Sequence, residues 1–362
     1  MAAKTKPGYY SARPILRIDG DKQQAAGEIE LQSLLVEENT LGLFRCEANL
    51  LNWGPKNGKV GFVYFDGDIF DFGKTLSVEF RAQGDSSPVF SGRITGIEAH
   101  YPPDRVPEIQ ILAEDRFQDL RMERHTRTFE NISDADVIRQ VMSSSAHGLS
   151  VQVDIDGPMH PVLVQFNQSD LAFLRERAVA CDAELWIDDC TIYVQARSRR
   201  DMGKLELTWR QDLHEFSVLA DLAHQRNSVR VTGWSSANKD IIQADARDSV
   251  IGSELMGGQS GSAILSRALA SHKDQIVTAT PLTQAEARNS AENRYRSRAR
   301  SFVRGYGVSE GNVKLRVGCS LTLNGLGPVF NGPYYVTAAR HTFSMEDGYL
   351  TAFEVERPGL GG

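Results

Sequence analysis

The chain has 362 residues, of which 41% are apolar and 24% charged, and a formal net charge of -7. That length and apolar content suffice for roughly two to four globular domains with a sizeable core, while the acidic balance argues against a nucleic-acid partner over the whole surface. No run approaches the ~20 apolar residues of a membrane span. The opening Met1-Ala-Ala-Lys-Thr-Lys-Pro7 also lacks the apolar segment of a signal peptide, so synthesis and folding are expected in the cytoplasm.

From the N-terminus, strands are predicted at residues 14–20, 28–37, 43–51, 61–64, 75–82, 88–100 and 108–113. The separators 52–58 and 83–88 are rich in turn-forming residues. Many short strands with little helix predict an antiparallel barrel or sandwich over 8–125, and closing such a sheet removes its open edges.

Residues 126–200 change character. Ser133 is placed to cap a helix whose apolar residues Val137, Ile138, Val141 and Met142 share one face, and that helix ends at His147-Gly148. Residues 149–155 alternate as a half-buried strand, and a short apolar strand follows at 162–166. Ser169 then caps a second helix over 171–181, with Asp170 near the positive end of its dipole. A hairpin is predicted from 183–187 and 191–194 around Asp188-Asp189-Cys190.

Beyond residue 200, strands are predicted at 204–209, 213–222 and 226–234, followed by a polar stretch of low periodicity, 235–280. Thr283 and Glu286 form a capping box that opens a helix through Arg300. Four more strands follow, at 302–308, 319–323, 334–343 and 348–356.

The centre of the chain resembles the late control gene D family, the hub proteins of contractile phage tails and of VgrG-type spikes. The resemblance rests on Gln165, Phe166, Gln168, Ser169, Asp170, Phe173, Leu174 and Arg175, preceded by Phe129, Ser133, Asp136, Val137 and Ile138. It continues through the Cys181 to Trp186 run. The resemblance implies an α+β, mostly β fold in which two tube-protein-like antiparallel β-barrel domains flank a small α/β domain. The first barrel would span 8–125, the α/β domain 126–200, and the second barrel 201–234 together with 281–358, with 235–280 an insertion or loop region. It further implies a non-enzymatic homotrimer: six similar barrels would form a pseudo-sixfold ring that adapts a sixfold tube to a threefold spike. Its partners would be an inner tube protein or tube initiator above, a spike below, and other baseplate proteins. Fused spikes of this kind continue into a β-helical needle; no such repeat follows Pro358, so the spike is expected to be a separate chain.

Other constellations carry less. Asp66, Asp68 and Asp71 lack the further oxygen ligands and glutamate of a calcium loop and read as a turn-rich hairpin. Gly257-Gly-Gln-Ser-Gly-Ser262 lacks the Lys-Ser/Thr of a phosphate cradle and reads as a flexible loop. His214 and His224 have no ligand spacing, and Cys46, Cys181, Cys190 and Cys319 read as buried or half-buried thiols, with a Cys181–Cys190 disulfide a minor alternative. Arg288, Arg294, Arg296, Arg298, Arg300 and Arg304 read as a solvated helix face with partners at Glu286 and Glu292, or else as a contact surface. No catalytic residue, metal site or cofactor is expected. The competing readings are a tail-tip cell-wall hydrolase, which would need paired carboxylates in an inserted domain, and a sugar-binding module, which lacks an aromatic platform.

Overall fold

The computed structural model describes residues 13–20, 30–42, 44–56, 58–82, 85–144, 148–188, 190–236, 238–278 and 283–361. The start of the second predicted strand at Glu28 and Ile29, the turn at Gln83-Gly84, His147 and Asp189 lie outside the described residues. The chain is mostly β, with large antiparallel sheets.

The first region contains β1 (Ile15–Ile18), β2 (Leu31–Asn39), β3 (Arg45–Leu51), β4 (Gly54–Lys56), β5 (Lys59–Gly61), β6 (Thr75–Ala82), β7 (Asp85–His100) and β8 (Glu108–Glu114). Burial alternates along β2 and β3, so Leu34, Val36, Cys46, Ala48 and Leu50 face one core. The predicted strand at 61–64 is not formed: Asn52 Oδ1 accepts from the backbone N–H groups of Val63 and Tyr64 at 3.0 and 2.8 Å, which satisfies that backbone without a sheet partner.

The central region contains β9 (Arg124–Ser133), α1 (Asp134–Ser144), β10 (Ser150–Asp154), β11 (Met159–Ser169), α2 (Asp170–Ala180), β12 (Ala183–Asp188) and β13 (Thr191–Ala196). Ser133 Oγ accepts from the Asp136 N–H at 3.2 Å, and Ser169 Oγ from that of Ala172, so both predicted caps are made. β12 and β13 form the predicted hairpin, and β10 joins β13 in parallel. β9 pairs antiparallel with β11 as a two-stranded ribbon. Burial alternates along the first half of β9, but its half-buried His125 and Arg127 are polar, so the strand leaves no apolar alternation in the sequence.

The remainder contains β14 (Lys204–Thr208), β15 (Leu213–Ala220), β16 (Ser228–Ser235), β17 (Asp240–Ala246), β18 (Gln259–Ser260), α3 (Gly261–Leu269), β19 (Lys273–Val277), α4 (Gln284–Arg300), β20 (Val303–Glu310), β21 (Ser320–Asn324), β22 (Gly332–Ser344), β23 (Gly348–Arg357) and β24 (Gly359–Leu360). The Thr283/Glu286 capping box opens α4 as predicted. β16 lies outside the large sheet and forms a three-stranded sheet with β17 and β19, covered by Ala287, Ala291, Tyr295 and Ala299 of α4. Thus much of the stretch 235–280, read from the sequence as insertion or loop, is ordered as strand and helix.

One twelve-stranded sheet joins the two ends of the chain. Its first six strands run β1-β6-β7-β8-β3-β2, and the other six run β14-β21-β22-β23-β20-β15. Lettered a to f in chain order, both sets have the order a-d-e-f-c-b. The register repeats as well. The row Glu37-Arg45-Glu114-Arg93-Thr75 crosses the first set where Leu219-Arg304-Glu356-Tyr335-Ser320 crosses the second. Strand e bulges at Thr95 in one set and at Thr337 in the other, one residue past the equivalent Ile94 and Val336. Strand b bulges at Gln32 and at His214. Bulges re-aim the following residues and do not arise by chance at matched positions, so these are two copies of one unit. The copies differ at strand a, which is antiparallel to d in the first and parallel in the second.

Candidate assembly surface

The copies meet where β2, strand b of the first, pairs with the later half of β22, strand e of the second. Leu34 lies opposite Phe343 and Val36 opposite His341, and all four are buried. On the other face Arg340 Nε donates to Glu37 at 2.6 Å. Next to it the buried Glu38 accepts from Arg316 at 2.7 and 3.0 Å and from the Val317 N–H at 2.8 Å. Burial would raise the Glu38 carboxyl, but the Arg316 guanidinium holds it below the usual range. Burial pushes His341 down to about 4, so the ring is neutral at the seam, with Nδ1 at 2.8 Å from the Tyr349 hydroxyl. Tyr349 in turn stacks on Phe80 of the first copy at 3.8 Å.

The equivalent surfaces elsewhere in the chain stand open. β15, strand b of the second copy, ends the sheet, and among the described residues it has one strand partner, β20. β7, strand e of the first copy, is paired with β6 only as far as Arg93, so the edge beyond it carries no strand among the described residues. The contrast in burial is large: Phe343 is 3% exposed, whereas Tyr101, at the equivalent position, is 61% exposed. Leu219, the counterpart of Glu37, is 63% exposed. Tyr101 also belongs to an exposed aromatic cluster in which Phe62 stacks on Phe65 at 5.0 Å and meets Trp53 edge-on at 5.2 Å. Contiguous exposed apolar surface of this kind marks interaction sites.

α4 and the central region are held together by a second set of contacts. Nδ1 and Nε2 of His160 lie 2.6 Å from Glu286 and 2.8 Å from the buried Asp134, which raises the imidazole to about 9 although burial alone would lower it. Arg300 is buried between Asp182 and Glu254, and Asn289 donates to the Ala180 carbonyl at 2.7 Å. Sequence spacing gave no hint of His160, because its two partners come from distant elements.

The residues singled out from sequence have structural employment here. Lys74 Nζ donates to the carbonyls of Gly67, Asp68 and Ile69 at 3.0, 2.6 and 3.3 Å, and Lys56 pairs with Asp66, so ammonium groups supply the positive charge in that loop. The 257–262 run is not a loop throughout. Ser260 caps α3, and a Cβ on Gly261 would lie 2.7 Å from the Phe302 ring, so glycine serves close packing. The arginines of α4 are not one solvated face: Arg296 pairs with Glu292 at 3.1 Å as expected, Arg298 with Asp274 at 2.6 Å, and Glu286 is taken by His160. His214 and His224 are exposed and separate. Cys46, Cys181 and Cys319 are buried and Cys190 is exposed, and none of the four is in a disulfide. Gln165 is buried and donates to Asp170 at 2.8 Å, while Arg127 reaches the same carboxylate at 2.9 Å, so the central motif builds a local hydrogen-bond network. Among the described residues no group of His, Cys, Asp and Glu side chains could hold a metal ion, and no helix is long and apolar enough to cross a membrane.

These sheets and the central α/β region define the fold of phage tail proteins. The family model described as the Alg8 N-terminal domain matches residues 15–345, and the chain belongs to that family. Comparison with curated proteins finds no match. Among solved structures, the chain is similar to the 43 kDa tail protein of prophage MuSo2 from Shewanella oneidensis, at 14% identity and a TM-score of 0.68, covering 95% of this chain and 98% of that one. A tail protein from Neisseria meningitidis MC58 gives 12% identity and a TM-score of 0.68, with 97% and 98% covered. A component of the E. coli type VI secretion system, described as structurally similar to T4 phage tail proteins, gives 11% and 0.59, with 94% and 76% covered.

Proposed function

We propose that this chain is a structural hub of the late control gene D type, placed at the baseplate of a contractile tail or injection system. It assembles there as a homotrimer and carries no catalytic activity. One observation carries the reading: a six-strand unit occurs twice in one polypeptide, with the same order, register and bulges. Three chains then present six equivalent units, which meet a sixfold tube on one side and a threefold spike on the other. The first unit lies within 8–125, the central α/β region is 126–200, and the second unit is interrupted by the α4 module. The tail and secretion-system proteins that share the fold support this placement.

Light scattering on the purified chain over a wide concentration range, alone and with the cognate tube and spike proteins, tests the reading. A mass of three chains is expected. A single-chain mass throughout would overturn it.

A further inference from the structure

We propose that β15 of one molecule pairs antiparallel with the open edge of β7 in a second copy of this chain, with Leu219 opposite Glu98 and Phe216 opposite Tyr101. The proposal rests on the trimeric reading and specifies its interface to the residue.

The register comes from the seam inside the chain. There strand b of the first copy lies against strand e of the second, with Glu37 opposite Arg340, Val36 opposite His341 and Leu34 opposite Phe343. The shared row equates Glu37 with Leu219 and Arg93 with Tyr335, and the matched bulges at Thr95 and Thr337 carry the second equivalence on to Glu98 and Arg340. The edges are prepared alike up to the same point. Gly73 N–H donates to the Ile94 carbonyl, and Ile94 N–H to that of Lys74, each at 2.9 Å. Gly318, Val336 and Cys319 make the same two bonds at 3.0 and 3.1 Å. Beyond that point β22 is covered by β2, whereas Glu98, Ala99, His100 and Tyr101 are exposed.

The chemistry of the two edges fits this occupant. Phe216 and Val218 are half-buried at the margin of the second core, so a neighbouring strand would complete their burial, as β22 does for Leu34 and Val36. Tyr101 would meet Phe216 as an aromatic cross-strand pair. A strand added to an open edge also satisfies a row of backbone groups otherwise left to water, and here b and e lie on different copies. The contact is therefore heterologous: each molecule offers β15 to one neighbour and β7 to the other, and the chain of contacts closes into a ring or extends without limit. With the inner seam repeated as the outer one, three molecules alternate six equal junctions.

The test is a disulfide across the proposed pair in the full chain, with the exposed Cys190 changed to serine. Directly opposed residues in antiparallel strands lie about 4.5–5.5 Å apart at Cα, within disulfide reach. Leu219→Cys with Glu98→Cys is expected to give covalent trimers on oxidation, with most of the chain cross-linked on a denaturing gel. Leu219→Cys with Ala99→Cys, one residue out of register and facing the opposite side, is expected to give none. Leu219→Glu sets two carboxylates face to face and is expected to lower the trimer fraction severalfold; adding Glu98→Arg, which reproduces the Glu37–Arg340 pair of the inner seam in the same orientation, is expected to restore it. A trimer by light scattering that lacks the 98–219 cross-link would overturn this interface and leave the hub reading standing. Covalent ladders longer than three would overturn closure, and a monomer would overturn both.

Discussion

The two copies of the six-strand unit share their plan and differ in what covers them. In the first, strands b and c are joined by the short link between β2 and β3; in the second, the same link, between β15 and β20, carries the β16-to-α4 module. In the first, strand b is buried at the seam; in the second, the edge of β15 beyond the buried Leu213, which bridges to Trp209, carries no strand among the described residues. Equivalent positions therefore differ in burial because one has a neighbour and the other does not. This also explains the chemistry at each place: Glu37 has Arg340 to pair with, whereas Leu219 at the same position is apolar and exposed. In the proposed interface Glu98 of the next molecule would cover that leucine.

The most damaging way to break the comparison is to uncouple the copies at the seam. Arg316→Ala would leave Glu38 charged, buried and without its main counter-charge, which costs about 3–5 kcal/mol in comparable buried pairs. Urea titration should show a midpoint well below that of the parent. A change under about 1 kcal/mol would mean that the seam does not hold the two copies together.

A second test exchanges core residues between copies. Ala48 faces Ile111 across strands c and f of the first copy, and Gly307 faces Phe353 at the same place in the second. The pair has traded volume: small with medium in one, none with large in the other. A Cβ on Gly307 would lie 2.5 Å from the Phe353 ring, which is buried and cannot swing away. Gly307→Ala should therefore cost about 1–3 kcal/mol by overpacking. Combining it with Phe353→Ile recreates the first copy's pair, and the double variant should be more stable than the sum of the single effects predicts. Strict additivity would show that the two cores are not built to one plan.

Much of this was legible in the sequence, and the gaps have physical causes. Thr283 and Glu286, Ser169, and the alternating strands β3, β6 and β8 announce themselves through local rules that packing then leaves intact. The repeat itself was implied by resemblance and could not be read from residues, since equivalent positions hold Glu and Leu, Ala and Gly, or Ile and Phe. A few identities persist, Arg45 with Arg304, Glu114 with Glu356 and Thr95 with Thr337, but they are too scattered to show as a repeat, which backbone order and bulge position carry. β17 and β19 escaped because their apolar residues are few and pack beneath a helix that comes later in the chain. His160 escaped because a charge pair between distant elements has no sequence spacing.

That histidine offers the gentlest test, directed at the one module that only the second copy carries. Its imidazole sits between Asp134 and Glu286, with Arg177 also 3.3 Å from Asp134, and links the central region to α4. Its folded pKa of about 9 exceeds the ordinary 6.5, so the folded state binds the proton more tightly than the unfolded chain does. The stabilisation is then complete below about pH 6.5 and is lost as the pH rises through about 9. After correction for the base-catalysed rise in intrinsic exchange, amide protection in α4 should fall across this window while that of β3 and β8 in the first copy is unchanged. His160→Gln cannot carry the charge and should remove the pH dependence in α4. A loss of protection that is uniform over both copies, or that persists in His160→Gln, would show that this ion pair does not anchor the module.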